Sequence, residues 1–166
     1  MIATAVEIRD LRHGDWPEVS RIYAEGIATG NATFETEVPS WETWDAAHLA
    51  EHRLVAERGG AVVGWVALLP VSARACYAGV VEVSAYVAEE ARRRGIGAEL
   101  LAAAIKSSEQ AGIWTMQTSV FPENEASLRL LRRFGFRTVG IRERIGTLHG
   151  VWRDTVLVER RSEVVR

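Results

Sequence analysis

The residues best suited to hold an anion stand together in the run Glu89-Glu90-Ala91-Arg92-Arg93-Arg94-Gly95-Ile96-Gly97-Ala98. Three arginines and two glycines fall between an apolar strand-like segment and an amphipathic helical one. A helix N-terminus leaves its first amides unpaired and carries partial positive charge, so a phosphate there is stabilised twice over. Gly95 and Gly97 let the backbone come close, and Arg92, Arg93 and Arg94 add charge-assisted contacts to phosphate oxygens. A second chemical group, Glu82, stands inside Val80-Val81-Glu82-Val83-Ser84-Ala85-Tyr86-Val87. Alternation puts Glu82, Ser84 and Tyr86 on one face and Val81, Val83, Ala85 and Val87 on the other. A carboxylate in such a strand either pairs with an arginine, lies at the sheet rim, or has a functional role.

Elements must position these groups. From Gly95, the apolar positions Ile96, Leu100, Leu101, Ala104 and Ile105 repeat at helical spacing, and Gly112 marks a stop. Upstream, Val6–Arg9 alternates as a strand, and Gly14-Asp15-Trp16-Pro17 opens a helix carrying Val19, Ile22, Tyr23 and Ile27 on one face to a stop at Gly30-Asn31. Residues 31–37 form a polar loop containing Phe34 and Glu35. Ser40 caps a second helix that is expected to run with Trp41, Trp44, Ala47 and Leu49 towards His52, its tryptophans packing in the core. Leu54–Glu57 and Ala61–Leu69 read as a hairpin across Arg58-Gly59-Gly60, with Pro70 ending the second strand. Downstream come a strand over Trp114–Val120, a helix from Asn124 to Phe134, and strands over Arg137–Ile145 and Val151–Glu159 separated by Gly146–Gly150. The order is β-α-α-β-β-β-α-β-α-β-β, an α/β chain with an antiparallel front half. No internal repeat or linker breaks residues 1–166, so one domain is expected.

Composition narrows the function. With 48% apolar and 25% charged residues, the 166-residue chain reads as an ordinary globular protein, neither disordered nor fibrous. Its formal net charge of −2 offers no general field for nucleic acid, although 19 of its 20 basic residues are arginine. Any anion site must be local. Cys76 is the single cysteine, which suits a reducing compartment and gives no disulfide or metal framework. His13, His48 and His52 have no ligand spacing, so no metal is expected. Met1–Asp10 meets acidic residues too early for a signal peptide, and no apolar run reaches membrane-spanning length; a cytoplasmic protein is expected.

Several phosphate motifs can be separated. A P-loop needs Gly-Lys-Ser/Thr, but Ala98 and Glu99 follow Gly97. A dinucleotide fingerprint needs a third small residue where Leu100 stands. What remains is Arg-x-x-Gly-x-Gly at a helix entry after a strand ending Tyr86-Val87. That pattern resembles the GNAT N-acetyltransferase superfamily. Asn124-Glu125-Ala126-Ser127-Leu128 through Phe134-Gly135-Phe136 resembles the superfamily's Asn-x-x-Ala/Ser and Gly-Phe segment, so the resemblance covers nearly the whole chain. Within it, Ala32-Thr33-Phe34-Glu35-Thr36-Glu37, Arg74-Ala75-Cys76-Tyr77-Ala78-Gly79, Val81–Val87 and His149-Gly150-Val151-Trp152-Arg153-Asp154 are most similar to phosphinothricin, methionine sulfone and arsinothricin N-acetyltransferases.

The resemblance implies a GNAT fold, a central mixed and mostly antiparallel sheet flanked by helices, with acetyl-CoA as co-substrate. It implies that the backbone of Ala85, Tyr86 and Val87 pairs with the pantetheine arm and that Arg92 to Ala98 hold the pyrophosphate. Asn124 and Ser127 would touch the pantetheine or acetyl end. Glu82 would be the general base for a small-molecule amine acceptor, with Phe34, Glu35, Arg74, Tyr77 and Tyr86 binding that acceptor. Arg74 is otherwise a solvated loop charge. His149 would relay a proton or bind substrate, and is otherwise an exposed loop histidine. A homodimer is implied as well. Many superfamily members carry an acidic tyrosine where this chain has Leu131, which cannot donate a proton. Peptide or polyamine acetylation, and a non-catalytic acyl-CoA sensor, are the rival readings.

Overall fold

The computed structural model describes residues 4–166, so Met1–Ala3, the start of the segment read above for a leader, lie outside the described residues. The chain runs β1 (Val6–Asp10), α1 (Trp16–Ala28), α2 (Trp41–Ala47), β2 (Leu54–Arg58), β3 (Ala61–Pro70), β4 (Val80–Val87), α3 (Ile96–Gln110), β5 (Thr115–Val120), α4 (Glu125–Arg133), β6 (Arg137–Leu148) and β7 (Val151–Arg161). One seven-stranded sheet takes the order β1-β2-β3-β4-β5-β7-β6. Neighbours are antiparallel except β4 and β5, which are parallel and joined across α3. The mixed, mostly antiparallel sheet expected from the sequence is therefore present.

Alternation along β3 explains the layers. Trp65 meets Trp44 of α2 and Tyr23 of α1, with ring centroids 5.6 Å apart in each pair, while a Cβ on the preceding Gly64 would touch Leu100 and Ile96 of α3. Adjacent strand residues point to opposite faces, so α1 and α2 cover one face and α3 the other. On the first face Tyr86 stacks on Trp65 at 5.0 Å and meets Tyr23 edge-on at 4.9 Å. Such pairs add about 0.5–1.5 kcal/mol each beyond the area they bury.

Two boundaries differ most from expectation. The second helix stops at Ala47 rather than continuing towards His52. Ser40 caps it as predicted, its Oγ accepting from the Thr43 amide at 3.2 Å. Beyond Ala47, however, buried Arg53 takes the carbonyls of Asp45, His48 and Leu49 and pairs with the Asp45 carboxylate. The Leu49 amide meanwhile joins the Leu68 carbonyl at 2.8 Å. Tertiary partners thus outcompete the next helical turn. At the other end, β6 reaches Leu148, so the expected five-residue connection shrinks to a turn of His149 and Gly150, with φ of 49° and 77°. Two consecutive positive-φ residues make the hairpin turn that matches strand twist. His-Gly is an uncommon way to write it.

Candidate active site

The turn expected to hold an anion stands at the entry to α3. Arg93 and Gly95 both take left-handed backbone, with φ of 64° and 81°. The glycine does so without the steric cost a Cβ would carry. The first bond into the helix comes from Glu99 to the Gly95 carbonyl at 3.1 Å, so the amides of Ile96, Gly97 and Ala98 are the helix's orphan donors. Arg93 and Arg94 are exposed, whereas Arg92 bends back and its Nε donates to the Val87 carbonyl at 3.1 Å. Gly97 stands on the wall between α3 and α4: a Cβ there would be 3.5 Å from Leu130 and 3.8 Å from Val87.

A cleft of about 760 Å³ runs from this cradle to Glu82. Its origin is a fork in the sheet. Strand β4 pairs with β5 only over Val80–Glu82 against Thr115–Gln117, and beyond that point the two strands diverge as opposite walls. Val83 to Val87 line one wall and Thr118 to Phe121 the other. Phe34, Asn124, Ser127, Leu131 and Thr155 complete the lining. The structure therefore brings together Glu82, Phe34, the β4 backbone, the cradle and the cap of α4. The Asn124 side chain accepts from the Ser127 amide at 3.3 Å and donates to the Asn31 carbonyl at 3.2 Å. The polar turn at one end suits an anionic group, and the divergent strand edges suit an amide-bearing arm, which is what coenzyme A carries. Among the described residues no group of acidic, histidine or cysteine side chains is arranged to hold a metal ion.

Glu82 is half-buried, and burial raises its pKa above the ordinary carboxylate value while Arg142 opposes the shift. Arg142 was not singled out by the sequence. It lies on β6 opposite Thr155, and directly opposed strand residues share a face. Only the register of the last hairpin, interrupted by an irregularity between Arg142 and Gly146, brings it there. The Tyr86 ring is buried in the aromatic cluster, and burial raises its pKa, with Tyr23 and Glu35 adding to the effect. Its ring packs against Trp65 and Tyr23 while the residue also lines the cleft, and a hydrogen bond with Thr33 opposes the shift.

Other expected acceptor residues are not brought to Glu82. Arg74 and Tyr77 sit on the exposed β3–β4 connection, the guanidinium 5.6 Å from the tyrosine ring centroid. Glu35 is exposed, one residue beyond Phe34. His149, in its tight turn, lines a separate hollow with Ile27, Gly30, Thr36 and Val38.

Comparisons with known proteins converge on this geometry. Residues 6–136 match the model of the acetyltransferase (GNAT) family. A protein named phosphinothricin N-acetyltransferase from Alcaligenes faecalis is 35% identical over 164 residues, covering 94% of this chain and 82% of the relative. A solved GNAT superfamily phosphinothricin acetyltransferase from Sinorhizobium meliloti, in complex with AcCoA, superposes with a TM-score of 0.85 at 29% identity, covering 94% of this chain and 88% of that one. A ribosomal-protein-alanine N-acetyltransferase from Brucella melitensis superposes with a TM-score of 0.87 at 28% identity, covering 94% of this chain and 99% of that one. With cradle, forked sheet and sequence in agreement, the chain belongs to the acetyltransferase (GNAT) family and is an acetyl-CoA-dependent N-acetyltransferase.

Proposed function

We propose that the enzyme acetylates the primary amine of a small amino-acid-like acceptor of the phosphinothricin, arsinothricin, methionine sulfone or methionine sulfoximine type. The observation that carries this reading is Glu82, a half-buried carboxylate with a raised pKa at the end of the cleft away from the cradle. An ammonium has no lone pair, so the amine must lose a proton before or during attack on the thioester, and Glu82 is the base that takes it. The neutral amine then bonds to the thioester carbonyl carbon, the cationic nitrogen of the adduct gives its surplus proton to water, and collapse of the adduct breaks the carbon–sulfur bond and releases the thiolate. Leu131 lines the cleft and cannot protonate the departing sulfur, so coenzyme A leaves as thiolate or takes a proton from water.

In this reading the backbone of Ala85, Tyr86 and Val87 orients the pantetheine arm, Arg92 to Ala98 hold the pyrophosphate, and Asn124 with Ser127 borders the arm. Phe34 walls the acceptor side, and Arg74 with Tyr77, which stand off the cleft within one chain, supply the cation for an anionic group on the acceptor only when a second copy or a shift of the β3–β4 connection brings them to it. We further propose a homodimer in the cytoplasm. Val139, Ile141, Ile145, Val151 and Trp152 are exposed along the last hairpin and support burial against a second copy. A step through His149 requires that copy to deliver it, since within one chain His149 opens on the other hollow.

Thiol release from acetyl-CoA, measured against a panel of phosphinothricin, arsinothricin, methionine sulfone, methionine sulfoximine, polyamines and peptides with N-terminal alanine, tests the acceptor. Activity confined to peptides or polyamines would overturn it. Glu82→Gln should lower kcat/KM by about 10²–10⁴-fold while the acetyl-CoA KM stays nearly constant; retention of wild-type turnover would remove Glu82 from the mechanism.

A further inference from the structure

Arg153 stands on β7 outside the cradle, yet two distant segments meet on its guanidinium. The group lies 4.0 Å from the Phe121 ring centroid. It donates to the Gly30 carbonyl at 3.0 Å, to the Asn31 side-chain oxygen at 2.9 Å and to the Glu123 carboxylate at 3.3 Å. The Asn31 carbonyl in turn accepts from Asn124, the N-cap of α4. Three residues further on, the Phe34 ring meets Phe121 edge-on at 4.9 Å and covers Gly146, the strand partner of Arg153, where a Cβ would come within 3.0 Å of the ring. Residues 31–34 line the cleft but belong to no helix or strand. Their placement therefore comes from tertiary contacts such as these, together with hydrogen bonds between Thr33 and Tyr23 and Tyr86.

We propose that Arg153 is a positioning residue that fastens residues 30–34 to the N-terminus of α4, so that the Phe34 wall is in place before the acceptor arrives. The inference rests on the reading that Phe34 faces the acceptor. The Arg153 side chain is only 16% exposed, and its planar fork serves two acceptors of one segment while its face lies on an aromatic ring. A lysine carries the charge but neither the fork nor the stacking plane. Without the fastening, residues 30–34 have to be ordered at the moment of binding, a cost that falls on the acceptor and not on the cradle.

Arg153→Ala, Arg153→Lys and Asn31→Ala test this in the full chain. With acetyl-CoA and the best acceptor of the panel varied independently, Arg153→Ala should raise the acceptor KM about 10- to 100-fold and leave the acetyl-CoA KM within about threefold. Lysine should recover only part, and Asn31→Ala should give a smaller rise of the same kind. Without any substrate, a glutamate-specific protease should cut Arg153→Ala faster after Glu35 and Glu37. Parallel rises in both KM values, or protease rates equal to wild type, would overturn the proposal. If Arg153→Ala does not fold, Arg153→Lys and Asn31→Ala decide by the same two readouts. If no amine of the panel reacts, the acceptor reading fails while the protease rates still decide the latch.

Discussion

Gly26 of α1 is pressed flat against Tyr86, and adding one methyl group there tests whether the aromatic cluster holds β4 in place for the cofactor. An alanine Cβ would fall 2.4 Å from Cδ1 and 2.6 Å from Cε1 of the Tyr86 ring. Ordinary carbon contacts lie near 3.5–4.0 Å, so ring or helix must retreat by about 1 Å. The ring has little room, being stacked on Trp65 at 5.0 Å and flanked by Tyr23 at 4.9 Å. Overpacking of this kind costs about 1–3 kcal/mol, against a gain of about 1 kcal/mol from replacing glycine inside a helix. With the ring confined on two sides the clash takes the upper part of that range, about 2–3 kcal/mol, leaving a net loss of about 1–2 kcal/mol and a Tm lower by about 2–8 °C at this chain length. If about 1 kcal/mol of the strain is expressed as displacement of the Tyr86 backbone, the acetyl-CoA KM rises about fivefold. Calorimetry and steady-state kinetics on Gly26→Ala, Tyr86→Ala and the double variant form the test. Where Tyr86 is already alanine, Gly26→Ala should stabilise, because the clash is gone and only the helix term remains. A Gly26→Ala protein as stable as wild type, with an unchanged acetyl-CoA KM, would refute the argument that this ring positions the strand.

Two more perturbations probe charge and backbone. A base works unprotonated, so kcat/KM falls as pH drops through the pKa of Glu82, which burial holds above the ordinary carboxylate value and Arg142 pulls back. Arg142→Ala removes the opposing charge and should move the acid limb of the pH profile to higher pH, whereas Arg142→Lys should hold it near wild type; a limb that stays or moves down in Arg142→Ala counts against this pairing. At the cradle, Gly95→Val forces a β-branched residue towards φ of 81° and should raise the acetyl-CoA KM more than alanine at Arg92, Arg93 or Arg94. Larger losses at the arginines would show that side-chain charge, not the turn, holds the anion.

The cradle and the strand before it were legible because their signals are local. Helical spacing after Gly95, the glycine pair and the alternation around Glu82 all fall within one stretch of chain, and each acts through its own backbone. The end of α2 was not legible, because Arg53 captures three carbonyls from beyond the helix, and nothing near Ala47 announces it. The same holds for the acceptor side. Phe34 stands in a run that resembles the family's, but its contacts are Phe121 and Gly146, and the residue that bonds the start of its segment is Arg153, more than a hundred positions away. Arg142 reaches the face of Glu82 only through a pairing register with an irregularity in it, which a reading of residue types does not supply.

That contrast has a physical basis in the fork between β4 and β5. A strand that loses its neighbour leaves amides and carbonyls without partners, and burying them unpaired is costly. Such an opening persists when a ligand with amide groups of its own supplies the missing pairing, and pantetheine does so in the reading proposed here. The run from Glu82 to Val87 spans roughly 17 Å at about 3.3 Å per residue, so the carboxylate at the last paired position and the anion cradle past the strand's end are set apart by the strand itself. A cofactor anchored by its phosphates at one end must lie extended along β4 to bring its acyl group to the other. Chemistry on the cofactor side is thereby ruled by one strand and one turn, both written contiguously in the sequence. In the reading proposed here the acceptor meets the side lined by residues 31–34, Phe121 and Thr155, which the fold gathers from distant parts of the chain, and specificity consequently depends on contacts that span the chain. Substitutions in the contiguous part should accordingly change how tightly acetyl-CoA is held, and those in the assembled part should change which amine is accepted.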